Sequence, residues 1–185
     1  MVKIRSTRTA VLPEPAAADT KTEAAEDTAS ADTTGDKKVL KVAMECGYAP
    51  YNWTQPDDSN GAVPINDSSD YAYGYDVMMA KKIADTLGYE LEIVKLDWDS
   101  LVPGVQTGIY DAVIAGQSMT ADRMNEVDMA GPYYYATIVV LTTKDSQYAN
   151  AASIADLAGG TCTSQSGTIW YDSCLPQIEN TNLLA

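Results

Sequence analysis

Between Lys95 and Lys144 the sequence has a single basic side chain, Arg123. A planar guanidinium grips a carboxylate through two parallel hydrogen bonds. On a helical turn it equally pairs with neighbouring acids, here Asp122 or Glu126. Just upstream, the string DAVIAGQS carries Gly116 and Ser118. A serine hydroxyl and its N–H donate to an anion and carbonyls near Gly116 accept from an ammonium, although both residues are also ordinary turn formers. Tyr48, Trp98 and Glu45 stand in the strings AMECGYAPYNW and LDWDS. Aromatic faces attract cations and pack alkyl stems. A carboxylate beside them meets a cationic or amide group, or is simply exposed. Ser166-Gly167-Thr168 precedes a helix start at Ile169-Trp170, and the unpaired N–H groups of such a start favour an anion.

The 185 residues include 12 Lys or Arg, 26 Asp or Glu and no His, for a formal net charge of −14. Without His, nucleophile pairs of the Ser-His or Cys-His kind and imidazole-based zinc sites are excluded. Cys46 accordingly reads as a small buried residue and not as a nucleophile. A nucleic-acid binder is excluded too, since its footprint is basic. Residues 41–185 carry a net charge of −13, a field that repels anionic lipid and concentrates cations or zwitterions at a cleft. No segment approaches the roughly 20 apolar residues that span a bilayer.

Residues 1–38 read as a disordered tether, because Pro13 to Lys38 is Ala, Thr, Asp and Glu with almost no large apolar residue. Lys3, Arg5 and Arg8 look like the charged start of an export signal, but Ala10-Val11-Leu12 is too short for its apolar centre. VLKVAM from Val39 is expected to be a buried strand, and Thr54 to Tyr73 a long, turn-rich loop. In GYDVMMAKKIADTLG, Val77, Ala80, Ala84 and Leu87 recur at helical spacing, with Gly88 at the C-cap. Further strands are expected at 91–96, 111–116 and 133–143, and helices near Ser100, after Thr120 and over 153–159. Alternating strands and helices imply an α/β fold with a largely parallel sheet. Ligands bind beyond the carboxyl ends of such strands, here Glu45–Tyr48, Asp97-Trp98 and Gly116–Ser118.

The blocks AMECGYAPYNW, GYDVMMAKKIADTLG, LDWDSLVPGVQTGIYDAVIAGQSMTADR, GPYYYATIVVL and SIADLAGG with QSGT, in this order, resemble the family 3 extracellular solute-binding proteins that feed polar amino acids to ABC importers. The resemblance implies a periplasmic-binding-protein-like clamshell, with residues 39–142 forming lobe one, nearly complete, and 143–185 the crossover and beginning of lobe two. It implies that Arg123 and Ser118 hold the ligand's α-carboxylate, that carbonyls near Gly116 take its ammonium, and that Ser166 and Thr168 close on the carboxylate from lobe two. Tyr48 and Trp98 would flank the ligand's side chain and Glu45 meet its cationic or amide end. The Asp that such proteins offer to the ammonium from late in lobe two has no counterpart.

On this reading the partners are a free amino acid, Arg, Lys, ornithine or Gln in preference to Glu or Asp, and the membrane permease of an ABC importer. The protein is then an extracytoplasmic monomer without cofactor or metal that makes and breaks no bond. The competing readings are a cyclohexadienyl-dehydratase-like enzyme, with Glu45 as general acid, and the ligand-sensing domain of a receptor. Cys162 and Cys174 close a short loop in lobe two, where a disulfide fits export and contributes about 3 kcal/mol. In Pro56–Asp67, Asp58, Asn60, Gly61 and Asp67 follow the spacing of a calcium loop, but Pro56 fills the first ligand position and Asp67 replaces the bidentate Glu. The loop therefore reads as a polar insertion.

Overall fold

In a computed structural model of the chain, residues 2–7 and 38–184 are described. The regular elements are β1 (Val2–Thr7), β2 (Val39–Met44), β3 (Gly47–Tyr48), β4 (Asn52–Gln55), β5 (Val63–Pro64), β6 (Tyr71–Tyr73), α1 (Tyr75–Leu87), β7 (Glu90–Lys95), α2 (Leu101–Gln106), β8 (Ala112–Val113), α3 (Ala121–Glu126), β9 (Thr137–Leu141), β10 (Thr161–Thr163) and β11 (Asn182–Leu184). They fall into two compact units, residues 38–129 and residues 2–7 with 130–184.

In the first unit β2 is apolar apart from Lys41, so it needs neighbours on both sides and cover on both faces. It pairs in parallel with β7, from Val39 opposite Glu90 to Met44 opposite Lys95, and with β8, Val42 opposite Ala112 and Ala43 opposite Val113. The strand order is β7-β2-β8. Val42, Ala43, Met44, Ile93 and Leu101 are fully buried and form the core with Val77 and Ala80 of α1. The helix starts at Gly74, whose φ of 132° is open to glycine and where a Cβ would stand 2.2 Å from the Tyr51 carbonyl oxygen. It ends at Gly88 in the left-handed conformation, whose N–H reaches the Ala84 and Asp85 carbonyls. Leu87, expected on the buried face, is 54% exposed because Ala84 is the last buried residue of α1.

The segment read as a loop, Thr54 to Tyr73, is mostly turn but also carries the end of β4 and all of β5 and β6, which with β3 form a second, antiparallel sheet of order β3-β4-β6-β5. Aromatic and β-branched residues pair across it despite the turn formers between them. Trp53 stands opposite Tyr73, their rings edge to face with centroids 5.1 Å apart. An Ile65–Ile93 bridge joins this segment to β7. Asp57 accepts the Ser59 N–H at 3.1 Å, and that residue's hydrogen bonds hold its carboxyl below the ordinary value. The turn is thus closed by its own side chains.

The second unit is built on a sheet of order β11-β10-β1-β9. Residues 2–7, assigned by composition to a tether, form strand β1 there, antiparallel to β9 and parallel to β10. The β-branched residues of VKIRST favour an extended backbone. The remainder of the expected tether, residues 8–37, lies outside the described residues. The strand expected at 133–143 is confined to Thr137–Leu141, and 153–159 contains a short 3₁₀ helix, Ile154–Leu157. Its start is a capping box. Asp156 accepts from the Ser153 hydroxyl at 2.9 Å and N–H at 2.8 Å, and the bonds lower its carboxyl's pKa. Leu157, Cys162, Leu175 and Ile178 form this unit's core.

Replacing Leu101, wholly enclosed beneath the parallel sheet, with Ala is expected to reduce unfolding free energy by about 2–5 kcal/mol. Urea denaturation measures this directly, and an unchanged midpoint would contradict the packing described.

Candidate functional site

The strands β7, β2 and β8 run parallel and side by side, so the residues that follow them leave the sheet at one edge. Glu45 to Tyr48 follow β2, Trp98 follows β7, and Gly116 to Ser118 follow β8. β8 is shorter than the expected 111–116, being confined to Ala112–Val113, and Gly116 beyond it takes a positive φ of 64°.

Helix α3 brings Arg123 to this edge. Thr120 is its N-cap, and the threonine hydroxyl oxygen accepts the Arg123 N–H at 3.2 Å. The half-buried guanidinium donates from Nη1 to the Ser118 carbonyl oxygen at 2.9 Å and lies 5.5 Å from the centroid of the Trp98 ring. Of the expected site residues, Trp98 and Ser118 therefore both meet Arg123. Their contacts differ in detail from the expectation. Ser118 offers Arg123 its carbonyl, and the Trp98 face carries the guanidinium through a cation–π contact.

Tyr48 stacks on Tyr51 with centroids 4.9 Å apart and ring planes at 30°. Glu45 is half-buried at the turn between β2 and β3. The Cys46 thiol beside it is pushed up to about 11, chiefly by burial, with Lys95 opposing and Glu45 reinforcing the shift. A thiol so placed stays protonated and inert at neutral pH.

Ser166 and Thr168 belong to the second unit. Ser166 is exposed; Thr168 is buried, donating its hydroxyl to the Gln165 carbonyl at 2.7 Å and accepting the Tyr171 N–H at 3.3 Å. The helix start read there is a single π-helical turn, Trp170–Cys174, and the Thr168 hydroxyl closes it. The disulfide expected between Cys162 and Cys174 is not formed, and both are free thiols. Cys162 is fully buried in the core of its unit, while Cys174 ends the π turn, its thiol pKa raised by burial. Among the described residues no three Cys, Asp or Glu side chains converge as metal ligands.

Two residues the sequence reading passed over, Asn52 and Asp76, are completely buried and joined by a 2.7 Å hydrogen bond from the Asn52 amide to Asp76 Oδ2. Their only signal in sequence is an Asn inside an aromatic strand and an Asp directly after the opening of α1.

A cation, aromatic faces and backbone polar groups thus stand at the carboxyl edge of a parallel sheet, the place where α/β folds bind small molecules. Residues 40–152 match the model of the bacterial extracellular solute-binding proteins, family 3. The chain belongs to this family. It is 30% identical over 133 residues to the arginine-binding extracellular protein ArtP of Bacillus subtilis, covering 72% of this chain and 46% of ArtP. Two solved structures are similar. The ancestral amino acid-binding protein AncCDT-1, a precursor of cyclohexadienyl dehydratase, aligns with a TM-score of 0.63 at 28% identity, covering 79% of this chain and 60% of that one. The amino acid ABC transporter substrate-binding protein AbpA of Streptococcus pneumoniae, bound to L-arginine, aligns with a TM-score of 0.60 at 27% identity, covering 79% and 57%. The fold is thus that of the periplasmic amino acid-binding proteins, and the chain spans less than half of ArtP's length.

Unfolded without reductant, the chain is expected to release all three of its thiols to Ellman's reagent. Folded at pH 8 it should react slowly, with Cys46 last. A single thiol in the unfolded chain would restore the Cys162–Cys174 bridge.

Proposed function

We propose that the chain is part of an extracytoplasmic solute-binding subunit that captures a polar or cationic amino acid for the membrane permease of an ABC importer. The observation that carries this reading is the Arg123 guanidinium, set between the Trp98 ring and the Ser118 carbonyl where the parallel strands end. In that place it meets an α-carboxylate with two parallel hydrogen bonds. Carbonyls around Gly116 take the ammonium, Tyr48 and Trp98 pack the alkyl stem, and Glu45 meets a cationic or amide end. Ser166 and Thr168 are assigned to the carboxylate from the second lobe, Thr168 through its backbone, since its hydroxyl is occupied. The protein works as a monomer, and no bond is made or broken.

The names of ArtP and AbpA support arginine as the ligand to try first. The likeness to AncCDT-1 keeps a dehydratase reading in view, which would rest on Glu45 as general acid. Turnover of a cyclohexadienyl acid that is abolished in Glu45→Gln would favour it over binding alone.

NMR titration is expected to show arginine binding more tightly than glutamate, with a constant weaker than low micromolar. Arg123→Ala should weaken arginine by about tenfold or more, and Arg123→Lys should recover only part of the loss. Equal or tighter glutamate binding would refute the role given to Glu45, and unaltered binding in Arg123→Ala would refute the site.

A further inference from the structure

The turn that carries Glu45 and Tyr48 depends on an unusual residue. Between β2 and β3 the chain passes through Cys46 at φ 53°, in the left-handed region that residues with a Cβ seldom enter. Both peptide groups of Cys46 are held by side chains. Its N–H donates to Asn52 Oδ1 at 2.8 Å, and its carbonyl accepts the Thr54 hydroxyl at 2.9 Å. Lys95 Nζ in turn donates to that hydroxyl oxygen at 3.1 Å.

An Asn amide works as a fixed acceptor only if something prevents it from flipping, because its two ends are nearly the same shape. Here the preventing group is Asp76. Its Oδ2 accepts the Asn52 Nδ2–H at 2.7 Å, which leaves the Asn52 Oδ1 turned to the Cys46 N–H. Asp76 is itself fixed in the first turn of α1, its N–H donating to the Tyr51 carbonyl at 2.8 Å. A negative charge is favoured there by the helix dipole. Both side chains are fully shielded from water, where a polar pair is kept only if its hydrogen bonds are satisfied. A continuous relay therefore runs from the start of α1 through Asp76 and Asn52 to the one turn that presents Glu45 and Tyr48.

We propose that Asp76 and Asn52 are positioning residues for ligand specificity. They lock Cys46 in its left-handed conformation and so set where Glu45 and Tyr48 stand against the ligand's side chain. This rests on the amino acid-binding reading, and it separates the two ends of the ligand. Arg123, Ser118 and Gly116 are positioned by other elements, so recognition of the carboxylate and ammonium should survive loss of the clamp.

The test compares arginine with alanine, which has the same carboxylate and ammonium but no side chain to reach Glu45. Asp76→Asn keeps the shape of the side chain and replaces an acceptor-only carboxylate with an amide that donates as readily as it accepts, so it no longer dictates which way Asn52 faces. It is expected to lower the arginine-to-alanine affinity ratio by about tenfold, the loss of one oriented hydrogen bond. Thr54→Val, which releases the other side of Cys46, should act in the same direction and serves if Asp76→Asn does not fold. Adding Cys46→Gly to Asp76→Asn should restore the ratio, because glycine occupies φ 53° without a clamp. A core control, Val77→Ala, should lower the melting temperature and leave the ratio alone.

In parallel, amide resonances of Glu45, Gly47 and Tyr48 should shift in Asp76→Asn and not in the control. An unchanged ratio or unmoved amides overturns the proposal. If the wild-type chain binds neither amino acid, the ligand reading fails, and the amide shifts alone decide the clamp.

Discussion

A parallel pair of strands obliges the chain to cross back over the sheet before the next strand begins, and the unit of residues 38–129 is organised by that requirement. β2, β7 and β8 all run the same way, so each return must pass through other structure. The first return is long enough to contain the small antiparallel sheet and α1; the second contains α2. What the chain carries on leaving a strand therefore collects at one edge. Glu45, Trp98 and Gly116 leave the sheet at the same edge because the parallel ladder aligns the ends of their strands, although they are far apart in sequence.

Charge makes that edge more than a geometric convenience. The chain is strongly acidic, and a cation set into such a field is costly to leave unsupported but well placed to attract a carboxylate from a zwitterion whose other end is welcome in the same field. The contacts of Arg123 include an aromatic face and a backbone carbonyl, which orient the guanidinium at that edge.

Much of this was legible before any coordinates. The periodicity of Val77, Ala80 and Ala84, the glycine after Leu87, the apolar run at Val39 and the cap at Thr120 are local signals, and the corresponding elements stand close to where they were read. The small antiparallel sheet was missed because its strands are short and separated by Pro, Asp, Asn and Gly; their pairing is a non-local choice made by Trp53 and Tyr73. The same limit explains β1, whose place between β9 and β10 is fixed by residues more than a hundred positions away. In the site, residue types could be chosen from sequence, but not the partner atom. That Ser118 serves Arg123 with its carbonyl, or that Thr168 spends its hydroxyl on its own turn, depends on backbone direction. Cys162 and Cys174 show the converse, since a spacing suited to a disulfide does not reveal that Cys162 is packed into a core.

The groups that could meet a ligand are, with few exceptions, also groups that hold the fold. Thr120 starts α3 by accepting from the very residue whose guanidinium defines the site. Ser118 both ends the excursion from β8 and anchors that guanidinium. Trp98 packs on the hydrophobic core while presenting its face to Arg123. Such sharing keeps side-chain freedom low before any ligand arrives, so less entropy remains to be lost on binding. It also means that local order at the strand ends and affinity cannot vary independently. On the proposed assignment, a change that loosens the loop after β8 blunts the grip of Arg123, whereas a change confined to the turn after β2 acts on the far end of the ligand. The proposed recognition then divides into two separable halves, one at the turn after β2 and one at the loop after β8.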